Sequence, residues 1–127
     1  MRYLSGEDIL VLHARILEAT GGAHGVRDTH LLASLSEKPK MKFGGKDLYK
    51  GVFRKAATYL EALATYHVFI DGNKRTALAG AARFLFVNGY AFTATNDQIE
   101  HFVLGVALKK HDMEAIARWL EKHSDIF

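Results

Sequence analysis

Two long segments of helical periodicity flank residues His67 to Thr76, and the second most constrains what this chain can fold into. Ala77, Gly80, Ala81 and Phe84 recur at helical spacing after Asn73. Small residues on that face let neighbouring backbones come close, which predicts a central, buried helix over Asn73 to Val87. The segment before it predicts a helix from about Asp47 to Tyr66, with Leu48, Val52, Ala56, Tyr59, Leu60 and Leu63 on one face. Two such helices need further helices around them.

The rest of the chain supplies these. Ser5 and Asp8 have capping-box spacing ahead of Ile9, Leu12 and Ile16, so a helix starts near Gly6 and stops at Gly21-Gly22. Asp28 is an N-cap for a short helix over Leu31, Leu32 and Leu35, which Pro39, the only proline, helps to end. Residues 40–46 are basic and contain Gly44-Gly45, as in a loop or a small β-hairpin. Asn88-Gly89 stops the central helix, and Tyr90 to Thr93 reads as a short extended segment. Thr95 and Gln98 form a second capping box before Ile99, Phe102, Val103 and Val106. Asp112 caps a last helix carrying Ile116, Trp119 and Leu120. The expected class is all-α: one compact bundle of about six helices over residues 1–127, with a possible hairpin flap.

Composition removes several classes. A chain of 127 residues suits one domain, burying roughly two-thirds of the surface its unfolded form exposes. No apolar run approaches transmembrane length, and Met1 to Ser5 lacks the apolar core of a signal peptide. There is no cysteine, which excludes disulfides and thiolate metal sites and fits a cytoplasmic protein. Net charge is +3, too mild to mark a nucleic-acid-binding chain, although Lys38 to Lys55 concentrates cations. The plainer reading of that stretch is a solvated basic face, and the functional one is a surface for an acidic partner or a nucleotide. Gly44-Gly45-Lys46 is followed by Asp47 and is no P-loop, and the seven histidines are scattered without zincin spacing.

Function concentrates in His67-Val68-Phe69-Ile70-Asp71-Gly72-Asn73-Lys74-Arg75-Thr76. Free N–H groups at a helix N-terminus, with the positive end of the dipole, attract anions. Gly72 lets the backbone turn and approach a ligand. Arg75 offers a bidentate fork for phosphate and Lys74 a mobile point charge. Asn73 either caps the helix or binds an oxygen. Asp71 is a hard oxygen ligand suited to Mg²⁺. Histidine titrates near neutrality, so His67 is placed to take a proton from an attacking hydroxyl. Taken singly, each of these residues has a duller use as a cap, a turn or a surface cation. Together they predict transfer from a nucleoside triphosphate to a hydroxyl.

This decapeptide resembles the motif of the Fic/Doc family. The Fic branch reads H-x-F-x-D/E-G-N-G-R-x-x-R. The chain is more similar to the Doc (death-on-curing) branch, H-x-F-x-D-x-N-K-R, with Lys74 at the second glycine and Leu78 at the last arginine. Gly25-Val26-Arg27-Asp28 with Leu31-Leu32, Ser34 and Pro39 resembles the Doc N-terminal signature. Phe43 to Tyr49, Asn88-Gly89-Tyr90 and Trp119-Leu120 extend the likeness along nearly the whole chain. Val68 stands where many relatives have proline, and Ala79-Gly80 where some Doc proteins carry a polar residue.

The resemblance implies a catalytic set of His67 as general base, Asp71 with Mg²⁺, and Lys74. It implies an anion nest of Gly72, Asn73, Lys74 and Arg75 for ATP or another triphosphate. Fic relatives usually transfer AMP, whereas Doc toxins phosphorylate a threonine of elongation factor Tu and halt translation. The resemblance implies that a lysine at position 74 obstructs the usual triphosphate pose, and that a nucleotide bound the other way round presents its γ-phosphate. The resemblance also implies a target-docking flap with Phe43 and Lys46. It implies a Phd-like antitoxin whose disordered C-terminal segment folds into an exposed apolar groove. A kinase toxin is the expectation. AMP transfer is set against by Lys74 and Leu78, and a dead site acting only as a binding partner by the intact His67, Asp71 and Asn73.

Overall fold

The computed structural model describes residues Met1–Phe127. It is all-α, six helices with two small antiparallel strand pairs. Helix α1 (Gly6–Thr20) opens with the expected capping box: the Ser5 hydroxyl accepts from Asp8 N–H at 3.1 Å and the Asp8 carboxylate from Ser5 N–H at 2.8 Å. Helix α2 (Thr29–Glu37) is capped by Asp28, which accepts from Leu31 N–H at 3.0 Å. Pro39 lies in the single 3₁₀ turn that follows, Lys38–Lys40.

Strands β1 (Lys42–Phe43) and β2 (Lys46–Asp47) form a hairpin in which Lys42 faces Asp47. Gly44 (φ 59°) and Gly45 (φ 78°) make the turn, and positive φ at both central residues matches the right-handed twist of the strands. Helix α3 (Val52–Thr65) therefore begins five residues later than its periodicity predicts. Asp47 is drawn into the hairpin, and Gly51, at φ 84°, turns the chain into the helix. Helix α4 (Asn73–Val87) has the predicted bounds. Strand β3 (Tyr90–Phe92) pairs with β4 (Ser124–Ile126) on either side of α5 (Asn96–Ala107) and α6 (Met113–Lys122).

The most enclosed helix is α3, not α4. It packs most extensively on α4 and then on α6, and nine of its 14 residues are buried. Helix α4 has one buried face, Thr76, Ala77, Gly80, Ala81, Phe84 and Leu85, while Arg83 and Phe86 lie exposed. The small residues do serve close approach: a Cβ on Gly80 would stand 3.0 Å from Leu63 Cδ1. Burying Leu60 and Leu63 completely contributes roughly 2 kcal/mol each. No helix is long and apolar enough to cross a membrane.

Tyr59 staples the N-terminal segment to this centre. Its hydroxyl accepts from Leu4 N–H at 3.0 Å and donates to Leu4 C=O at 3.2 Å. Burial pushes it from 10.0 up to about 12, against the pull of the Leu4 hydrogen bond. A raised pKa means that the fold favours the neutral hydroxyl. Its contribution is complete below pH 10, where the unfolded chain begins to ionise, and is lost as pH rises to about 12. Tyr59→Phe is expected to cost roughly 1–3 kcal/mol at neutral pH, because two buried backbone groups lose their partner. Melting temperature against pH checks both statements: the variant's alkaline loss of stability should be the shallower.

The hairpin is anchored at its stem and free at its tip. The Lys55 ammonium, almost wholly buried, donates to Pro39 C=O at 2.9 Å and pairs with Asp47 at 3.4 Å. Lys38 donates to the Tyr66 hydroxyl at 3.2 Å and pairs with Glu61 at 3.4 Å. Tyr66 is the C-cap of α3, the residue before His67. Phe43, at the tip, is 82% exposed.

Candidate active site

Between α3 and α4 the chain runs through seven residues, 66–72, and nearly every peptide from His67 on is pinned. His67 C=O accepts from Arg27 Nε at 2.8 Å. Val68 C=O accepts from the N–H groups of Arg27 at 2.7 Å and Asp28 at 3.1 Å, and Ile70 N–H donates to Gly25 C=O at 3.1 Å. Val26 and Phe69 thereby form an isolated antiparallel bridge. Gly25 to Asp28 is thus a strap laid along the loop.

Asn73 serves neither expected use: Gly72 is the N-cap of α4, and the Asn73 side chain turns back on the loop. Its carbonyl oxygen accepts from Phe69 N–H and its amide donates to Phe69 C=O, both at 3.0 Å. The side chain therefore braces the loop rather than facing a ligand oxygen. Its backbone N–H remains free, as do those of Lys74 and Arg75, because Gly72 caps α4 without a side-chain hydrogen bond. Gly72 is left-handed (φ 76°), and a Cβ there would stand 3.1 Å from Leu17 Cδ2. Three open N–H groups at the positive end of a 15-residue helix form an anion nest.

Asp71 stands beside the nest. Its carboxylate accepts from Ala23 N–H at 3.2 Å and Gly72 N–H at 2.8 Å, and lies 3.7 Å from the Arg75 guanidinium. The Ala23 and then the Gly72 N–H hold this carboxyl below the usual carboxylate range, with Arg75 adding to the effect. It is therefore ionised at neutral pH and still 46% exposed. No third histidine or acidic group clusters with it. One ionised, accessible carboxylate has the donor chemistry of a Mg²⁺ ligand, since that cation keeps several waters and needs few protein oxygens.

The cations divide. Arg75 is engaged with the Thr20 hydroxyl and with Gly21 C=O at 3.2 Å, so it locks α4 to the end of α1 as well as facing Asp71. Lys74 is exposed and pairs with no carboxylate. It lies with Arg75 at the mouth of a cleft of about 500 Å³ between α4 and α5, walled by Leu78, Ile99, Val103 and Leu104. His67 is exposed, in the left-handed region at φ 53°, and its imidazole makes no hydrogen bond within the chain. Phe43 and Lys46 are exposed on the hairpin.

Two residues at this site carry no motif signal. His13 is buried on α1, in line with Ile9 and Leu17 at four-residue spacing, and that spacing is the one available sign that it faces inward. Gly22 is more than part of a helix stop: a Cβ there would lie 2.6 Å from Asp71 Oδ2, so glycine makes room for the carboxylate.

Residues 3–85 match the sequence pattern of the Fic/DOC family. The chain is 38% identical over 117 residues to the toxin Doc of Mycolicibacterium smegmatis, covering 91% of this chain and 88% of that protein. It is 29% identical over 122 residues to the protein kinase doc of Escherichia phage P1, covering 96% and 95%. The matched pattern contains α1 through most of α4, hence the strap, the pinned loop and the anion nest together. The chain belongs to the Fic/DOC family, in its Doc toxin branch.

Proposed function

We propose that this protein is the toxin of a toxin–antitoxin pair and a nucleotide-dependent transferase that moves the γ-phosphate of ATP, or another triphosphate, to a hydroxyl of a protein. One observation carries this reading above the others. An imidazole with no partner in the chain and an ionised carboxylate stand on one braced loop that runs into an open helix N-terminus.

On this reading the phosphates lie on the N–H groups of Asn73, Lys74 and Arg75, which the left-handed turn at Gly72 leaves without partners. Lys74 faces the phosphates as a point charge and sets the nucleotide's direction. Asp71 would hold Mg²⁺, which when bound neutralises phosphate charge. His67 takes the proton of the target hydroxyl. The hydroxyl oxygen bonds to the γ-phosphorus, the bond from that phosphorus to the β-bridging oxygen breaks, and the nucleoside diphosphate leaves. The relative from phage P1 is named a protein kinase, which supports phosphate over AMP as the group transferred.

Elongation factor Tu, on a threonine, is the proposed target, and a Phd-like antitoxin the proposed partner. The α4–α5 cleft suits an amphipathic segment of that partner, which would cover Lys74 and Arg75 once seated. The hairpin would hold the target chain. Replacing Phe43 and Lys46 together by alanine is expected to lower transfer to protein at least tenfold while nucleotide affinity stays within about twofold. Isothermal titration beside a transfer assay checks this, and parallel loss of both would sink the docking role.

The test of the reaction is incubation of purified elongation factor Tu with the protein, Mg²⁺ and ATP labelled at the α or the γ position. Label from γ alone, with a mass gain of one phosphate, supports the proposal. Label from α alone, with a mass gain of one AMP and the γ-label lost in pyrophosphate, would make the protein an AMP transferase. Label from neither, on this target or in whole lysate, would leave a binding partner without activity.

A further inference from the structure

We infer that His13 is a positioning residue that locks the Asp71–Gly72 peptide, and through it the Asp71 carboxylate. The inference rests on the reading of Asp71 as the carboxylate at the phosphates. His13 is 4% exposed, and its Nε2–H donates to Asp71 C=O at 2.8 Å. Its ring lies flat on Phe69, with centroids 3.7 Å apart and planes 7° apart. Because the partner is a carbonyl, Nε2 must carry the hydrogen.

The geometry of one peptide plane gives that bond its consequence. Asp71 C=O and Gly72 N–H belong to the same trans peptide and point in opposite directions. The carbonyl is held by His13, and the N–H donates at 2.8 Å to Asp71's own carboxylate. Flipping the peptide would break both bonds together. Gly72 already sits at φ 76° and imposes little steric resistance to such a flip. What resists it is this pair of hydrogen bonds, and His13 supplies the one that comes from another helix. Packing alone would be served as well by an apolar ring of the same size, so the stack on Phe69 and the hydrogen bond to Asp71 are separable by substitution.

His13→Phe keeps the stack and removes the donor; His13→Gln keeps a donor of similar reach and removes the ring. The first readout is amide exchange in the ¹⁵N-labelled protein, which needs no activity. In His13→Phe the Gly72 amide is expected to exchange at least about tenfold faster, with α3 core amides unchanged, and His13→Gln should bring it back to within about threefold of wild type. The second readout is the Mg²⁺ dependence of transfer. His13→Phe should raise half-saturating Mg²⁺ roughly 10- to 100-fold, as loss of an outer partner of a metal ligand does, with KM for the target nearly unchanged. His13→Met replaces the Phe variant if the latter does not fold. A Gly72 amide as protected in the donor-less variant as in wild type would overturn the inference, and so would a Gln variant no better than Phe. If the wild-type protein transfers nothing, the proposed reaction falls, and amide exchange alone still decides the role of His13.

Discussion

Replacing His67 by alanine is expected to reduce transfer to the target by about 10²- to 10⁴-fold, the range in which a general base contributes. The melting temperature should hardly move. The imidazole is exposed and has no hydrogen bond within the chain, and the loop is held through the His67 carbonyl, which alanine retains. His67 is one of two non-glycine residues with positive φ, at 53°. A left-handed conformation costs an L-residue roughly 1–2 kcal/mol. His67→Gly should therefore be equally inactive and at least as stable as His67→Ala, because glycine meets no Cβ penalty there. Transfer of γ-label and a thermal melt on the same samples check the pair. An alanine variant that kept a tenth of the activity would remove His67 from the reaction.

Asn73→Ala is expected to differ in stability, losing much of it as well as activity. It orphans both the N–H and the C=O of Phe69, a residue only 1% exposed, and each unmet backbone group costs about 1–3 kcal/mol. A loss of roughly 2–4 kcal/mol corresponds to a fall of roughly 5–15 °C in melting temperature for a chain of this size. Asn73→Asp should rescue little. Its carboxylate still accepts from Phe69 N–H, but it has no donor for Phe69 C=O and sets two acceptors against each other. A thermal shift under about 2 °C in the alanine variant would show that the strap at Gly25 to Asp28 holds the loop unaided.

What was legible in the sequence was local. Both capping boxes, the start of α4 at Asn73 and the Gly44-Gly45 turn depend on residues within four positions of one another, and all are present. The beginning of α3 was misread because an apolar stripe does not reveal that Asp47 is claimed by β2 and by the Lys55 ammonium. Strand β3 was legible as extended chain, but its partner lies more than thirty residues on and carries no pattern of its own. The same limit applies at the site. The loop announces its chemistry in ten consecutive residues, while what holds it, His13, Ala23 and Arg27, sits 40 to 58 positions upstream. Asn73 was ambiguous for a different reason: an amide serves a backbone as readily as a ligand, and only the position of Phe69 decides between them.

Those long separations bear on the chain's own synthesis. Contacts between distant residues form after local ones, since the closure of the intervening chain must be met first. Helices α1 and α3 are able to form as they emerge, but the loop acquires its shape only when α1 and the strap come down on it. A nascent or half-folded copy therefore has the residues of the site without the site. For a protein proposed to harm the cell that makes it, this delays harm until folding is complete, and gives a partner made alongside it time to arrive.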